Sequence, residues 1–245
     1  MLILVLLSAA FLLPPGAGAG EIIGGWEAKP HSRPYMAYLL RQLEGKAYIC
    51  GGFLVKPNVV LTAAHCKGDR ITVILGAHNI RQWEPSWQVI QVRQQIRHTQ
   101  YESKTSKNDI MLLQLSRNAT LTKEVGLINL TTANGTASPN SVCSVAGWGM
   151  TSLTRGTRTL REVNLTVIAD VHCQKRYRYY YPSSMLCAGL PGSPGSFYVG
   201  DSGGPLVCGG VAEGIVSFGV NNSTAPPVGL TRISHFVPWI KANLP

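Results

Sequence analysis

The sequence predicts an all-β fold that ends in one helix. Helical periodicity is nearly absent through most of the chain, and short runs rich in Val, Ile, Leu, Phe and Tyr are separated by Gly, Pro, Asn and Ser. Short strands divided by regularly spaced turn residues are typical of a β-barrel or a β-sandwich. The clearest expected strands span residues 52–55, 71–75, 110–115, 163–168 and 214–218.

The stretch 235–244 predicts the terminal helix. Its apolar residues Phe236, Val237, Ile240 and Leu244 recur at helical spacing, which places them on one face. Pro238 does not exclude a helix, because proline is tolerated in a first helical turn. The chain has no short-period repeat and no low-complexity linker, so an internal boundary is expected in a short connection around residues 123–132.

Composition indicates a globular chain with many turns. The 245 residues suit one large domain or two fused small ones. Hydrophobic residues make up 45% and charged residues 14%, beside 26 Gly and 15 Pro. This balance provides for a full core and is not that of a disordered chain.

The N-terminal segment has the features of a secretory signal. An apolar run at residues 2–13 precedes two prolines and the small residues Ala17, Gly18 and Ala19, which predicts a signal peptide at residues 1–19. A membrane anchor is the alternative, but about twelve apolar residues fall short of the ~20 that a spanning helix needs. No later segment meets that length, so we expect a secreted protein.

The cysteines favour disulfides over metal binding. All six follow the predicted signal, and an even number in an oxidising compartment predicts three disulfides, with fifteen pairings open. A zinc site is the rival, yet the chain has no Cys-x-x-Cys pair and no paired Cys/His spacing. Asn-x-Ser/Thr acceptors also fit a secreted glycoprotein, although the last two are not expected to be modified together. They begin at Asn118, Asn129, Asn134, Asn164, Asn221 and Asn222.

The chain is strongly basic. Its net charge of +10 predicts association with polyanions such as sulfated glycans, and only non-specific attraction to nucleic acid. Each of two basic clusters is explained as well by a solvated face as by a dedicated glycan site. The clusters are Arg155, Arg158 and Arg161, and Lys175, Arg176 and Arg178.

Three short segments carry residues suited to catalysis, namely His65, Asp109 and Ser202. The histidine precedes a cysteine, the aspartate opens an apolar run, and the serine lies among glycines that allow close approach to the backbone. Taken singly, they also fit a structural histidine, an aspartate that caps a strand and a tight turn. Together they supply the nucleophile, the base and the orienting carboxylate that acyl transfer by serine requires.

The order His, Asp and Ser along the chain is that of the chymotrypsin triad, and further segments extend the likeness. From Ile22 to the C-terminus the sequence resembles the chymotrypsin-like serine proteases, within them the group of granzymes, mast-cell chymases and cathepsin G. The segments are Ile22-Ile23-Gly24-Gly25, Ala28-Lys29-Pro30-His31-Ser32-Arg33-Pro34-Tyr35-Met36-Ala37, Cys50-Gly51-Gly52-Phe53-Leu54, Leu75-Gly76-Ala77-His78-Asn79-Ile80 and Val145-Ala146-Gly147-Trp148-Gly149.

The resemblance implies an architecture and a catalytic triad. The protease domain, residues 22–245, is expected to form two packed antiparallel β-barrels, at about residues 22–125 and 126–232, with a C-terminal helix. His65 is the expected general base, Asp109 the carboxylate that orients it, and Ser202 the nucleophile. The first two come from the first barrel and the serine from the second, so that the site lies in the crevice between them.

The resemblance also implies how a substrate would be held. The backbone N–H groups of Gly200 and Ser202 are the expected oxyanion hole. The strand edge formed by Ser217, Phe218 and Gly219 is expected to pair with the substrate peptide.

The expected specificity pocket contains Ser196, Phe197, Val199 and Val228. Trypsin-like relatives carry Asp where this chain has Ser196, so cleavage after Lys or Arg is not expected. The Asp-cleaving granzyme carries Arg at the position matched to Val228, which argues against acidic specificity. An apolar residue at the cleavage site is the remaining choice, and whether it is aromatic or aliphatic stays open.

Activation by cleavage is a further implication of the likeness. Removal of the signal leaves Gly20-Glu21 ahead of Ile22, like the dipeptide that a dipeptidyl peptidase removes from granule proteases. The freed amino group of Ile22 would pair with Asp201, and this buried ion pair would order the oxyanion loop. The disulfides implied by the likeness join Cys50 to Cys66, Cys143 to Cys208 and Cys173 to Cys187.

Two functions follow from these observations. The first is a serine endopeptidase, secreted or stored in granules, with protein substrates, serpin-type inhibitors by resemblance, and no metal or organic cofactor. The second is a basic glycan-binding or antimicrobial protein that kept the fold and lost catalysis. Such relatives change the histidine or the serine, and His65 and Ser202 are both present here. A purely structural β domain would leave the three catalytic segments unexplained.

Overall fold

The computed structural model describes residues 25–135, 137–150, 156–193, 196–197, 199–219 and 225–244. Over these residues the chain is mostly β, which confirms the predicted fold class. The strands are β1 (Trp26–Glu27), β2 (Met36–Leu43), β3 (Lys46–Lys56), β4 (Val59–Thr62), β5 (Arg70–Leu75), β6 (Gln88–Arg97), β7 (Met111–Leu115), β8 (Asn129–Leu130), β9 (Val142–Gly147), β10 (Arg161–Thr166), β11 (Met185–Ala188), β12 (Pro205–Cys208), β13 (Val211–Phe218) and β14 (Val228–Arg232). The helices are α1 (Asp170–Arg176) and α2 (Ile233–Asn243), and a 3₁₀ turn spans Ala64–Cys66. The predicted signal, the dipeptide and Ile22 lie outside the described residues.

The first half of the chain forms a closed barrel in the strand order β2-β3-β4-β7-β6-β5. Strands β4 and β7 are buried along their whole length. Because both faces of β7 are buried, residues 110–115 are almost all apolar and do not alternate with polar residues. Phe53, Leu61 and Leu113 are fully buried at the centre of the barrel. Each such side chain stabilises the fold by about 1.5–3 kcal/mol relative to its exposed state.

The strands of the second half, joined at one edge by the N-terminal strand β1, form a sheet ordered β1-β10-β9-β12-β13-β14-β11. A bridge between Val167 and Ala188 joins the end of β10 to the end of β11, so the sheet curls back on itself as a barrel does. Its ladders are antiparallel except for β8, which runs parallel to β13. A strand of two residues has no periodicity, and the sequence therefore did not predict this pairing.

Helix α2 follows the second sheet in sequence but packs into the core of the first barrel. Ile233, Phe236 and Ile240 belong to the same buried cluster as Phe53. The prediction of a C-terminal helix is confirmed, with a start two residues earlier than expected. Helix α1 was not predicted, because it is short and buries only Cys173.

Three disulfides brace the fold. They join Cys50 to Cys66, Cys143 to Cys208 and Cys173 to Cys187, the pairing that the resemblance implies. The first lies within the first barrel and the other two within the second half. In the described part of the chain, no helix has the length and apolar character needed to cross a membrane.

Two histidines that pack against Phe236, His98 half-buried and His235 largely exposed, predict how stability depends on pH. His98 and His235 both pack edge-on against Phe236, at ring distances of 5.5 and 4.8 Å. Burial, followed by the charge of His235, lowers the pKa of His98. Burial, followed by the charges of Arg232 and Lys107, lowers the pKa of His235.

Because the unfolded chain binds these two protons at a higher pH, the free energy of unfolding should decrease as pH falls through about 6.5, and level off below the folded pKa values. Urea unfolding between about pH 7.5 and pH 5 checks this dependence. Replacing both residues, His98→Gln with His235→Gln, should flatten the curve. An equal slope in wild type and double variant would contradict the assignment.

Candidate active site

His65 lies on the 3₁₀ turn that directly follows strand β4. The disulfide between Cys66 and Cys50 ties this turn to β3, and the His65 side chain keeps 29% of its surface exposed. One end of the imidazole is therefore held by the protein, and the other is accessible to a substrate.

Asp109 is the anchor of that imidazole. Its side chain is 1% exposed, and its Oδ2 lies 2.7 Å from His65 Nδ1 while its Oδ1 accepts a hydrogen bond from the His65 backbone N–H at 2.9 Å. A carboxylate is only an acceptor, so Nδ1 carries the proton and Nε2 is left as the basic nitrogen. Burial and the charge of Asp109 raise the pKa of the nearby Tyr101 phenol to about 12, which keeps this phenol neutral.

The second half of the chain completes the hydrogen bonds of Asp109. Ser217 Oγ on β13 donates to Asp109 Oδ2 at 2.5 Å, and Thr231 Oγ1 on β14 donates to the Asp109 carbonyl at 2.8 Å. A buried carboxylate is costly unless it is hydrogen-bonded. The Asp109 side chain is therefore satisfied only when both halves of the molecule are docked. Ser217 was expected at the substrate edge, but its contact with Asp109 was not predicted, and Thr231 was not predicted as a site residue.

Ser202 lies on a turn that is packed against the first barrel through backbone groups. The Gly51 N–H on β3 donates to the Ser202 carbonyl at 2.7 Å. Gly200 and Gly203 have φ values of +100° and +86°, which residues with a Cβ rarely adopt. A Cβ on Gly203 would also lie 2.1 Å from Thr62 Oγ1. Glycine is therefore required at both positions by the backbone conformation, and at Gly203 also because Thr62 lies so close.

Asp201 is fully buried beneath this turn. Its Oδ1 accepts a hydrogen bond from the Gly149 N–H at 2.9 Å. A Cβ on Gly147 would lie 2.1 Å from Asp201 Oδ1, and one on Gly149 would lie 2.6 Å from the Asp201 carboxyl carbon. The two glycines that frame Trp148 thus make room for the carboxylate. The expected partner, Ile22, lies outside the described residues.

His65 and Ser202 line one open cleft with a volume of about 600 Å³. Gly200 and Val199 lie in its wall, and Val199 is 61% exposed at its mouth. The structure therefore brings the predicted base, nucleophile and oxyanion residues together in a cavity that a peptide could enter.

The other predicted pocket residues lie deeper, outside the lining of that cleft. Ser196 is fully buried, and Phe197 and Val228 belong to the apolar core of the second half. No ionic group is among these three side chains. Tyr198 between them and Val199 lies outside the described residues.

The predicted substrate edge lies at the end of β13. The Phe218 ring packs edge-on against Tyr177 at 5.0 Å and directly against Gly229 of β14, where a Cβ would meet the ring at 2.1 Å. Tyr177 and Gly229 were not predicted as neighbours of this edge. These residues contact Phe218 from other segments of the chain, so no local sequence pattern predicts the contacts.

Other predicted sites fall on the surface or outside the described residues. Asn118, Asn129, Asn134 and Asn164 are exposed, while Asn221 and Asn222 lie outside the described part of the chain. Of the basic clusters, Arg158, Lys175, Arg176 and Arg178 are exposed, Arg161 is half-buried and Arg155 is not described.

The grouping of Cys50, His65 and Cys66 has the residue types of a metal site. The two sulfurs are bonded to each other, so neither is available as a thiolate ligand. The grouping therefore serves to hold His65 and is not a metal centre.

A closed barrel docked on a second, curled sheet, with the buried Asp109 against His65 and with His65 and Ser202 in one cleft, has the arrangement of a chymotrypsin-like serine protease. The family model described as Trypsin matches residues 22–240, and the chain belongs to this family of serine proteases.

Similar proteins come from the granule-protease group. The chain is 51% identical to duodenase-1 of Bos taurus over 244 residues, covering 99% of this chain and 96% of the relative. It is 51% identical to cathepsin G of Homo sapiens over 98% of this chain and 94% of the relative, and 51% identical to granzyme B of Homo sapiens over 98% of each. A solved structure described as "Structure of GrC" has a TM-score of 0.87 and 47% identity, covering 90% of this chain and 98% of that chain.

The space around Asp201 leads to a prediction about Gly149. In Gly149→Ala the new Cβ would lie 2.6 Å from the carboxyl carbon of Asp201 and 2.7 Å from its backbone nitrogen, so the backbone must move. We expect the free energy of unfolding to fall by about 1–3 kcal/mol. Gly156→Ala is the matched control, since a Cβ there meets nothing within 4 Å. Equal unfolding midpoints in urea for the two variants would contradict this account.

Proposed function

We propose that the protein is a serine endopeptidase that cleaves peptide bonds through an acyl-enzyme formed on Ser202. The observation that carries the proposal is the buried carboxylate of Asp109, which lies 2.7 Å from Nδ1 of His65, a residue that lines the same cleft as Ser202. In this arrangement the protein supplies a base of fixed tautomer beside a nucleophile.

The proposed reaction proceeds in two halves. His65 Nε2 takes the proton of Ser202 Oγ as the oxygen attacks the substrate carbonyl carbon, and the resulting imidazolium is stabilised by Asp109. The same nitrogen then protonates the leaving amine, and the C–N bond breaks. Water repeats the sequence on the acyl-enzyme, with His65 as its base, and releases Ser202 and the new carboxylic acid.

The N–H groups of Gly200 and Ser202 are proposed to bind the oxyanion. Gly200 has a φ of +100°, which residues with a Cβ rarely adopt. Because glycine has no side chain, nothing on this residue blocks the approach of the substrate to its N–H group. Each oxyanion donor contributes about 3 kcal/mol to catalysis in enzymes of this kind. The edge of Ser217, Phe218 and Gly219 would hold the acyl side of the peptide by main-chain pairing.

The proposed activation depends on Asp201. The chain would be made with a signal at residues 1–19 and a dipeptide at residues 20–21, whose removal frees the amino group of Ile22. A fully buried carboxylate next to Ser202 requires hydrogen bonds or a cation. The Gly149 N–H supplies one hydrogen bond, and we propose that the new ammonium group pairs with the same carboxylate and orders the oxyanion turn.

The proposed specificity is for an apolar residue before the cleaved bond. Ser196, Phe197 and Val228 are all buried and uncharged, so a pocket that they line would not compensate a buried cation or carboxylate. Aromatic and aliphatic side chains are both compatible with this description.

The family relationship supports protein substrates and a secreted or granule-stored enzyme, since relatives carry the names granzyme B, cathepsin G and mast cell protease. Serpin-type inhibitors and sulfated glycans are further proposed partners. A basic glycan-binding or antimicrobial protein without catalysis is the second candidate, favoured by the charge of +10.

Cleavage of a diverse peptide library distinguishes the two candidates. The chain processed to begin at Ile22 should cleave after apolar residues, and Ser202→Ala should abolish cleavage because it removes the nucleophile. Ser116→Ala, at an exposed position, is the matched control and should retain full activity. The unprocessed chain should be inactive. A folded, processed chain that cleaves no peptide but binds sulfated glycans would contradict the proposal.

A further inference from the structure

A carboxylate near the start of the described chain is hydrogen-bonded to a buried histidine of the first half. Glu27 on β1 accepts from His78 Nε2 at 2.9 Å, and the two side chains are 50% and 8% exposed. A carboxylate only accepts, so Nε2 is the donor. Nδ1 of the same ring is buried and has no partner within the described residues. The hydrogen bond to Glu27 is therefore the polar contact that orients this ring.

The bond between Glu27 and His78 spans a segment of the second half. The Ala28 N–H donates to the Leu160 carbonyl at 2.9 Å, and the Leu160 N–H donates to the His78 carbonyl at 2.9 Å. Leu160 thus lies between the N-terminal strand and His78 in a backbone ladder. The bond between the two side chains therefore ties β1 to both halves of the molecule.

The backbone of His78 is connected to the buried carboxylate of Asp201. The His78 carbonyl also accepts a hydrogen bond from Trp148 Nε1 at 3.0 Å, and this contact is buried. The residue after Trp148 is Gly149, whose N–H donates to Asp201 Oδ1 at 2.9 Å. A continuous set of hydrogen bonds therefore leads from Glu27 to the carboxylate that is proposed to bind the new amino terminus.

The charges around the pair favour an ionised Glu27. The hydrogen bond from His78 lowers the pKa of the Glu27 carboxyl, and the charge of Arg161 acts in the same direction against a smaller effect of burial. On the other side of the histidine, Glu84 accepts a hydrogen bond from the His78 backbone N–H at 2.7 Å, and the His31 ring lies 6.4 Å away. Hydrogen bonds to an ionised acceptor are about twice as strong as those between neutral groups.

Strand β1 is too short to stay in place through its ladder alone. It has two residues at one edge of the sheet, and its other side-chain contact, from Trp26 Nε1 to Glu162, is exposed. A free amino group on Ile22 would lie five residues before Glu27, within about 17 Å of extended chain. Release of β1 would lengthen the free chain and lower the effective concentration of its end near Asp201.

We propose that Glu27 and His78 are positioning residues for activation. Their hydrogen bond holds β1 in the place from which the new amino group of Ile22 reaches Asp201. This inference rests on the proposed activation of the endopeptidase and names the contact that sets how completely the amino group inserts. A chain without this contact would be processed normally but would leave a larger fraction of its amino group exposed to solvent.

The first test measures how fast cyanate carbamylates the Ile22 amino group in processed enzyme obtained from the full chain, followed by mass spectrometry of the N-terminal peptide. An inserted amino group is protected, so the rate reports the exposed fraction. Glu27→Ala should raise this rate about tenfold, because it removes a hydrogen bond to a charged group. Glu102→Ala is the matched control. It removes an exposed carboxylate that also accepts one hydrogen bond, from Thr105 Oγ1 at 2.8 Å, and should leave the rate unchanged.

The second test is the loss of kcat/KM at alkaline pH, measured on a peptide that the wild type cleaves. The ammonium form of Ile22 is the form that pairs with Asp201, so insertion would raise the pKa of this amino group above its ordinary value of about 8. Activity would then be lost as pH rises through the raised value. Tenfold weaker insertion in Glu27→Ala should move this loss about one pH unit lower. A contact that only stabilises the fold would not move it.

A variant of the partner tests whether the two residues act as a pair. His78→Phe keeps a ring in the buried position but removes the donor, and should raise the carbamylation rate by the same factor. Because both substitutions remove one and the same bond, the double variant should show no larger increase than either single variant. If His78→Phe does not fold, Glu27→Ala, at a half-exposed position, decides the question by itself.

Equal protection of the amino group in the wild type and in Glu27→Ala would overturn the inference and leave the endopeptidase function in place. If the wild-type amino group reacts as fast as that of a short peptide with the same first residues, both the inference and the proposed activation are wrong. A protected wild type that loses protection in Glu27→Ala but cleaves no peptide would support the positioning role and overturn the endopeptidase function.

Discussion

The buried carboxylate of Asp109 is the constraint on which the rest of the site depends. It accepts two hydrogen bonds from His65, which belongs to the same barrel, and one from Ser217 of the other half. Thr231, also from the other half, binds its backbone carbonyl. Removing one partner from a buried carboxylate costs several kcal/mol. Docking of the two halves and orientation of the imidazole are therefore energetically coupled.

The nucleophile side is held by backbone contacts and by glycine. The turn that carries Ser202 is bonded to Gly51 of the first barrel and rests on the side chain of Asp201, whose space is provided by Gly147 and Gly149. Helix α2 adds a third connection, because it leaves the second half and completes the core of the first. These connections act between the halves, which is where the cleft lies.

Strand and helix patterning could be predicted because alternation and helical spacing are local. The predicted runs at 52–55, 71–75 and 214–218 all fall within strands, and the spacing from Phe236 to Ile240 located α2. The contacts that build the site could not be predicted in this way, since Ser217 and Asp109 are 108 residues apart. The family motifs identified His65 and Ser202 as candidate catalytic residues. The stacking of Arg41 on Tyr48, in contrast, follows only from the register of β2 and β3.

The effect of Asp109→Asn on peptide cleavage tests this account most directly. The amide keeps the size of the side chain but would donate to His65, and so favours the wrong tautomer. We predict that kcat at neutral pH falls by about 10⁴, the known effect of this change in the chymotrypsin-type triad, while circular dichroism still reports a folded β protein. A folded variant that keeps more than about a tenth of the wild-type kcat would contradict the claim that the buried carboxylate controls the site.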